Sequence, residues 1–475
     1  MKHRTESAGD PGDQELEASV DGLMDDLVAD LKSLAAIPSI AFPGCPEAPV
    51  REAYDALEAL VREVGLGDEE RVPGSTVGEL ALPDTAPVLT AHIPPPPGDP
   101  TAPTVLLYGH YDVQPPGEET LWRSPPFEPT ETEDGLGLRA RGIADCKANL
   151  VVHLGALRAF HGRPPTGVRI AFEGQEEYGS AFDDYPPTDP GRFACDAMVI
   201  ADTGNIRPGT PTLVTALRGV AELTVEVRTL KDAVHSGEYG GAAPDALLAL
   251  LAALATLHDA RGDVAVEGLR REPWEGTAYT DEEFRALAGV EDGMPLVGTG
   301  GLGERLWSGP ALTVIGIDAP GVDQGSSAVV PYARAKLNLR LHPRQDPDDG
   351  MRALVRHLEQ QRPFGIPLTV TPGQTGPGFE AATGGPAYRA AAGALRTAWG
   401  SEPVHAATGG SIPLVNGLAQ AVPGAEILLF GAEDNMSGLH GPNERVLYSE
   451  LRAAVLAEAV FLRDYAAAFR GGPAS

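Results

Sequence analysis

A chain of 475 residues exceeds what one hydrophobic core usually serves, so two domains are the default. Hydrophobic residues at 42% and charged residues at 22% give an ordinary globular composition. A net charge of −31 argues against nucleic acid and anionic membranes as partners, and it would draw cations, metal ions included.

Residues 1–14 read as disordered. Leu16, Val20, Leu23, Leu27, Leu31 and Leu34 then recur every three or four positions, which predicts an amphipathic helix ending before Pro38. A second helix is expected at about 50–64, and the proline-rich stretch 94–100 reads as a stiff connector between strands. From 104 onward the pattern is strand (105–108), helix (147–160), strand (168–172) and strand (197–201). That order predicts an α/β fold, a mostly parallel sheet with helices on both faces. After about 214 the character changes to a smaller α/β unit. It has strands at 221–227, 311–317, 332–341 and 366–370, helices at 244–258 and 348–361, and a loop-rich stretch at 262–310. A helix at 386–399, a strand at 426–430 and a helix from Ser449 return to the first domain. The expected division is 15–214 and 379–475 for one domain, with 215–378 inserted.

Cys45, Cys146 and Cys195 are far apart, odd in number and form no Cys-x-x-Cys, so neither a disulfide framework nor a thiolate zinc site is indicated. The first 17 residues are too polar for a secretory signal, and no apolar run reaches membrane-spanning length. A cytoplasmic setting is the expectation.

In parallel sheets ligands gather beyond the carboxyl ends of the strands. The run Val105–Tyr108 stops at Gly109 and delivers His110, followed two residues on by Asp112. A metal-bound imidazole usually gives its other N–H to a carboxylate or carbonyl, and this pair fits that need. Glu176 and Glu177 follow the next strand, and Asp202 the one after it. Adjacent acids at a strand end repel one another unless a cation is near, although a solvated acidic loop is the plainer reading. With a cation, one acid can bind it while the other takes a proton from water. Asp145 reads either as the N-cap of the following helix or as a carboxylate bridging two metals. His440 brings a second imidazole back in the returning segment.

Six motifs complete this set: Gly109-His110-Tyr111-Asp112-Val113-Gln114-Pro115, Arg141-Gly142-Ile143-Ala144-Asp145-x-Lys147, Glu173-Gly174-Gln175-Glu176-Glu177-x-Gly179-Ser180, Ile200-Ala201-Asp202, Val234-His235-Ser236-Gly237 and His440-Gly441-Pro442-Asn443-Glu444. In this order and over nearly the whole chain, they resemble the di-zinc aminoacylase/carnosinase-type metallopeptidases, which include cytosolic non-specific dipeptidases, carboxypeptidase G and acetylornithine deacetylase. The resemblance implies two Zn2+ per subunit, with Mn2+ or Co2+ as substitutes. His110 and Asp202 would hold one, Glu177 and His440 the other, and Asp145 both. Asp112 would orient His110, and Glu176 would be the general base.

The resemblance further implies that the inserted domain is a lid and dimerisation domain. His235 would reach the partner subunit's site in a homodimer and steady the oxyanion. Arg340, Gly410 and Ser411 would hold the carboxyl end of a small peptide substrate. Aspartate at 202 goes with the dipeptidase branch. An N-acyl amino acid amidohydrolase using the same metals is the alternative activity. Two departures stand out: Cys146 replaces a second aspartate after Asp145, where a cis peptide is expected, and Ala407 replaces an arginine before the glycine-rich loop. The Gly298-x-Gly300-x-x-Gly303 spacing matches a dinucleotide fingerprint but has no convincing strand before it, so no cofactor is expected there.

Overall fold

A computed structural model of the chain describes residues 11–410 and 412–470. Two compact units form: Met1–Thr215 with Ala381–Ala406 and Leu414–Ser475, and Ala216–Glu380 with Ala407–Pro413. In chain order the first stretch carries α1 (Pro11–Ala35), α2 (Ala48–Glu63), β1 (Thr76–Leu80), β2 (Val88–Ile93), β3 (Thr104–His110), α3 (Asn149–Ala159), β4 (Gly167–Glu173), β5 (Ala197–Ile200) and β6 (Thr212–Leu217). Next come β7 (Gly219–Arg228), α4 (Ala246–Leu254), β8 (Ala311–Asp318), β9 (Tyr332–Leu341), α5 (Pro347–Gln360) and β10 (Thr369–Gly376). The chain closes through α6 (Pro386–Trp399), β11 (Val404–Thr408), α7 (Pro413–Ala421), β12 (Glu426–Leu429) and α8 (Tyr448–Arg470).

The large sheet runs in the order β1-β2-β4-β3-β5-β12-β6, with β11 also paired to β6. Its centre is parallel: β3 lies between β4 and β5, and β12 continues beyond β5. Around this centre β1, β2 and β6 run antiparallel to their neighbours, so the sheet is mixed. Register sets His110 opposite Glu173, Tyr108 opposite Ile200, and Leu429 opposite Ile200. Four strands therefore end along one edge, and the loops leaving them start side by side.

Helix α1 begins at Pro11, so residues 11–14, expected to be disordered, are helical. Helix α3 is apolar almost all round and buried along nearly its whole length, as a helix enclosed on every side must be. At Gly155 it runs so close to its neighbours that an added Cβ would come within 2.9 Å of both Leu27 on α1 and Val455 on α8. Together α1, α2, α3, α6 and α8 bury their apolar stripes in one core with the sheet.

The second unit is an antiparallel sheet in the order β8-β9-β7-β10. Ala221, Leu223, Val225 and Val227 alternate into a core shared with α4 and α5, which the period-two pattern anticipates. Strand β10 lies three residues later than expected and runs on through Pro372. Ile366 and Leu368 pack on the core ahead of the strand, and an edge strand tolerates a proline that has no N–H to donate.

One buried polar bridge fixes α3 to both α8 and the sheet. The His153 ring lies 2.8 Å from a carboxylate oxygen of Glu458 and 3.0 Å from the carbonyl of Tyr108, with both side chains fully buried. Glu458→Ala strips the imidazole of its partner and is expected to cost about 3 kcal/mol or more. Urea unfolding checks this, and an unchanged midpoint would show that the bridge adds nothing to stability.

Candidate metal centre

The loops that leave β3, β4 and β5 carry the predicted acids and the first histidine to one place. His110 is the last residue of β3 and fully buried. Its Nδ1 lies 3.1 Å from the carbonyl of Asp112 and 3.3 Å from the Asp112 carboxylate. The same carboxylate accepts the backbone N–H groups of Glu176 (3.0 Å) and Glu177 (3.2 Å). One buried aspartate thus fixes an imidazole and the turn that presents both glutamates.

That turn is braced at its ends. The Glu173 carboxylate accepts from Tyr108 Oη (2.9 Å) and Ser180 Oγ (2.7 Å), and Gln175 donates to the carbonyl of Gly179 (3.0 Å). Gly174 is required there, since a Cβ would lie 2.3 Å from the Tyr111 hydroxyl.

Asp145 sits before α3 in a turn that opens with Gly142 in the left-handed region, and the Asp145–Cys146 peptide is cis. Glu444 holds this turn. Its buried carboxylate accepts the N–H groups of Gly142, Ala144 and Asp145 at 2.9–3.0 Å and pairs with Arg141 at 2.7 Å. Arg141 also donates to the carbonyl of Gly441, tying in the loop that carries His440. In that loop His440 adopts φ 59°, a left-handed backbone uncommon outside glycine and frequent at functional sites.

The side chains converge on Asp145. Its Oδ1 is 3.0 Å from His110 Nε2, and its Oδ2 is 2.9 Å from His440 Nε2. His110 Nε2 also lies 3.3 Å from Asp202, and His440 Nε2 lies 3.2 Å from Glu177. One carboxylate therefore joins two groups, each made of an imidazole and a further acid. Burial opposes ionisation of Asp145, but hydrogen bonds with His110 and His440 hold it below the usual carboxylate range. Hydrogen bonds with Asp145 and Glu177 push His440 up to about 10. Burial, followed by the charge on Asp202, pushes Glu176 well above the ordinary range.

These donors are nitrogen and oxygen only, two imidazoles and three carboxylates, and each imidazole faces two acids at close range. Such a set fits divalent cations of the zinc or manganese kind. His110, Asp112, Asp145, Glu176, Glu177, Asp202 and His440 all belong to the first unit. His235, Arg340 and Gly410 belong to the second and are not among the converging side chains, and Ser411 lies outside the described residues. Glu433 and the bracing role of Glu444 escaped the sequence reading. Glu433 follows β12 by four residues, as the other acids follow their strands, and that spacing was the available signal.

Residues 106–464 match Peptidase family M20/M25/M40. A cysteinylglycine-S-conjugate dipeptidase of Corynebacterium striatum is 37% identical over 372 residues, which cover 77% of this chain and 81% of that protein. A human Beta-Ala-His dipeptidase is 27% identical over 459 residues, covering 90% and 87%. The dipeptidase Dug1p of Saccharomyces cerevisiae superposes with a TM-score of 0.78 at 21% identity, covering 97% of this chain and 99% of its own. Human carnosine dipeptidase 1 gives 0.76 at 25% identity, covering 96% and 99%. With a family match that spans most of the sequence and a relative above one third identity, the chain belongs to peptidase family M20/M25/M40 and is a metal-dependent hydrolase.

Proposed function

We propose that the protein is a dipeptidase with two zinc ions per subunit, acting on dipeptides with a free carboxyl end. The observation that carries this is Asp145, with each of its oxygens on a different histidine and each histidine beside a second acid. His110 and Asp202 would hold one cation, Glu177 and His440 the other, and Asp145 both. When bound, such ions polarise a substrate carbonyl and lower the pKa of water.

Glu176 is the general base in this reading. Its backbone N–H is anchored on Asp112, and burial beside Asp202 favours its protonated form. A carboxylate so placed takes a proton from water readily and can return it to the departing amine. Gln114 donates to Glu177 at 2.8 Å and so orients the neighbouring acid.

In the second unit, His235 is exposed and its Nδ1 accepts from the N–H of Gly237 at 3.0 Å. The ring proton is then on Nε2, the form that can donate to an oxyanion. Arg340 lies on the face of the second sheet away from α4 and α5, where a guanidinium can grip a carboxylate. Gly410 and Ser411 would contact the same end of the substrate. Strand β8 is an edge that leaves Val314, Ile315 and Ile317 exposed, a surface suited to a second copy of the chain. We infer a homodimer through this unit, with His235 serving the partner's site, and a cytoplasmic location. No helix among the described residues is long and apolar enough to cross a membrane.

Four outcomes are expected. On a panel of S-substituted cysteinylglycines, β-Ala-His and N-acetyl amino acids, the dipeptides should be cleaved and a chelator should abolish turnover. Glu176→Gln should keep both metals by elemental analysis while kcat falls at least about 100-fold; native kcat would remove Glu176 as the base.

His440 keeps its proton up to about pH 10 until a cation displaces it, so metal binding should release a proton and apparent affinity should rise with pH across the neutral range. Calorimetry in buffers of different ionisation enthalpy counts that proton, and none released would take His440 out of the ligand set. Finally, mixing inactive His235→Ala with inactive Glu176→Gln should restore activity by pairing one intact site across the dimer. Silence on mixing, with heterodimers confirmed by mass, would place His235 in its own subunit's site or in none.

A further inference from the structure

Glu433 lies where the sequence of ligands leaves a place unfilled. Four residues beyond β12, its backbone pairs in parallel with Gly204, two residues past Asp202. The approach is close enough that a Cβ on Gly204 would fall 2.2 Å from the Glu433 carbonyl, so only glycine fits. Asn149 at the start of α3 donates to Glu433 Oε1 at 3.0 Å, and its own oxygen is fixed by the N–H of Ala432 at 2.8 Å. Held this way and buried, Glu433 brings a carboxylate oxygen within 4.8 Å of ligand oxygens on Asp145 and Asp202. Its neighbour Asp434 turns away into an ion pair with Arg445.

We propose that Glu433 is a further anionic member of the cation site on the His110–Asp202 side, raising the affinity of that site and leaving the His440–Glu177 side unaffected. This rests on the two-cation reading above. Cys146 Sγ also lies within 4.8 Å of ligand atoms of His110 and Asp202, but it spends its proton on the carbonyl of Ala201 at 3.0 Å, which leaves Glu433 as the added negative charge. Three carboxylates this close repel one another when alone, and a divalent cation among them turns the repulsion into attraction. A merely structural Glu433, serving only its hydrogen bond to Asn149, would stabilise the protein equally with and without metal.

The test uses the full chain, Zn2+ and a competing chelator. Wild type is expected to show two dissociation constants. In Glu433→Gln one of them should rise about 10- to 100-fold while the other stays put. The metal-stripped variant should melt at or above the wild-type temperature, and its gain on adding Zn2+ should be smaller. Glu433→Asp keeps the charge and should lie between the two, which also serves if the glutamine variant folds poorly. Unchanged constants in both variants, or equal destabilisation of the stripped and loaded forms, overturn the proposal. A wild type that takes up fewer than two ions overturns the two-cation reading itself, and this inference with it.

Discussion

Mutual repulsion among the acids at the strand ends is the constraint around which the first unit is arranged. Asp112, Asp145, Glu176, Glu177, Asp202 and Glu433 meet at one edge of a sheet, three of them (Asp112, Asp145 and Glu433) buried and the others half-buried, in a chain that already carries a net charge of −31. Burial makes every unpaired charge costly, so most of these acids are supplied with donors. Asp112 receives two backbone N–H groups, Asp145 two imidazoles and Glu433 an amide. Glu176 has no such set of donors among the described residues, and burial followed by the charge on Asp202 pushes it toward its protonated form. The acid left short of partners is the one assigned to carry a proton.

The framework that holds this charge is itself charged and buried. Glu444 gathers three consecutive-turn N–H groups and the Arg141 guanidinium, so the loop bearing Asp145 and the loop bearing His440 are fixed by one carboxylate about three hundred residues away in sequence from the first. Lys147, next to the cis peptide, donates to the carbonyls of Leu34 and Ile37, and burial pushes its ammonium down to about 7. The start of α3 is thus tied to the end of α1 without competing for the ligands. Positions are set by hydrogen bonds to backbone, which do not depend on the rotamers of the ligands themselves.

Much of this was legible because it is local. A β-rich run that stops at glycine and delivers His110, or one that ends in Glu176-Glu177, can be read from adjacent residues, and the parallel sheet then places those ends together. The resemblance supplied the pairing of Asp145 with His440, which spacing alone left open against an ordinary helix cap. Glu433 is harder to read because Phe430-Gly431-Ala432 separates it from the end of its strand, and with Asp434 beside it the pair resembles a solvated acidic loop. The pattern matches Glu176-Glu177: two adjacent acids with divergent fates, decided by a distant partner. Arg445 takes Asp434, and Asn149 takes Glu433. Strand β10 was misplaced for a related reason, since Pro372 reads as a breaker unless the strand is known to be an edge.

The division of labour between the units follows from the same physics. Ligands for cations need positions fixed to within a few tenths of an ångström, and all of them come from the ends of strands and braced turns within a single core. The residues proposed to recognise a peptide's ends, His235, Arg340 and Gly410, lie in a unit with its own sheet and its own core. Separate cores allow the recognition surface to change without disturbing the acidic cluster, whose balance of charge tolerates little change. Ala407, where the family resemblance leads one to expect an arginine, lies in that second unit. A lost cation-gripping charge cannot be absorbed in the cluster, whereas a lost substrate contact can be made up elsewhere on the second unit. Variation in substrate preference among chains that share these ligands should therefore trace to the second unit.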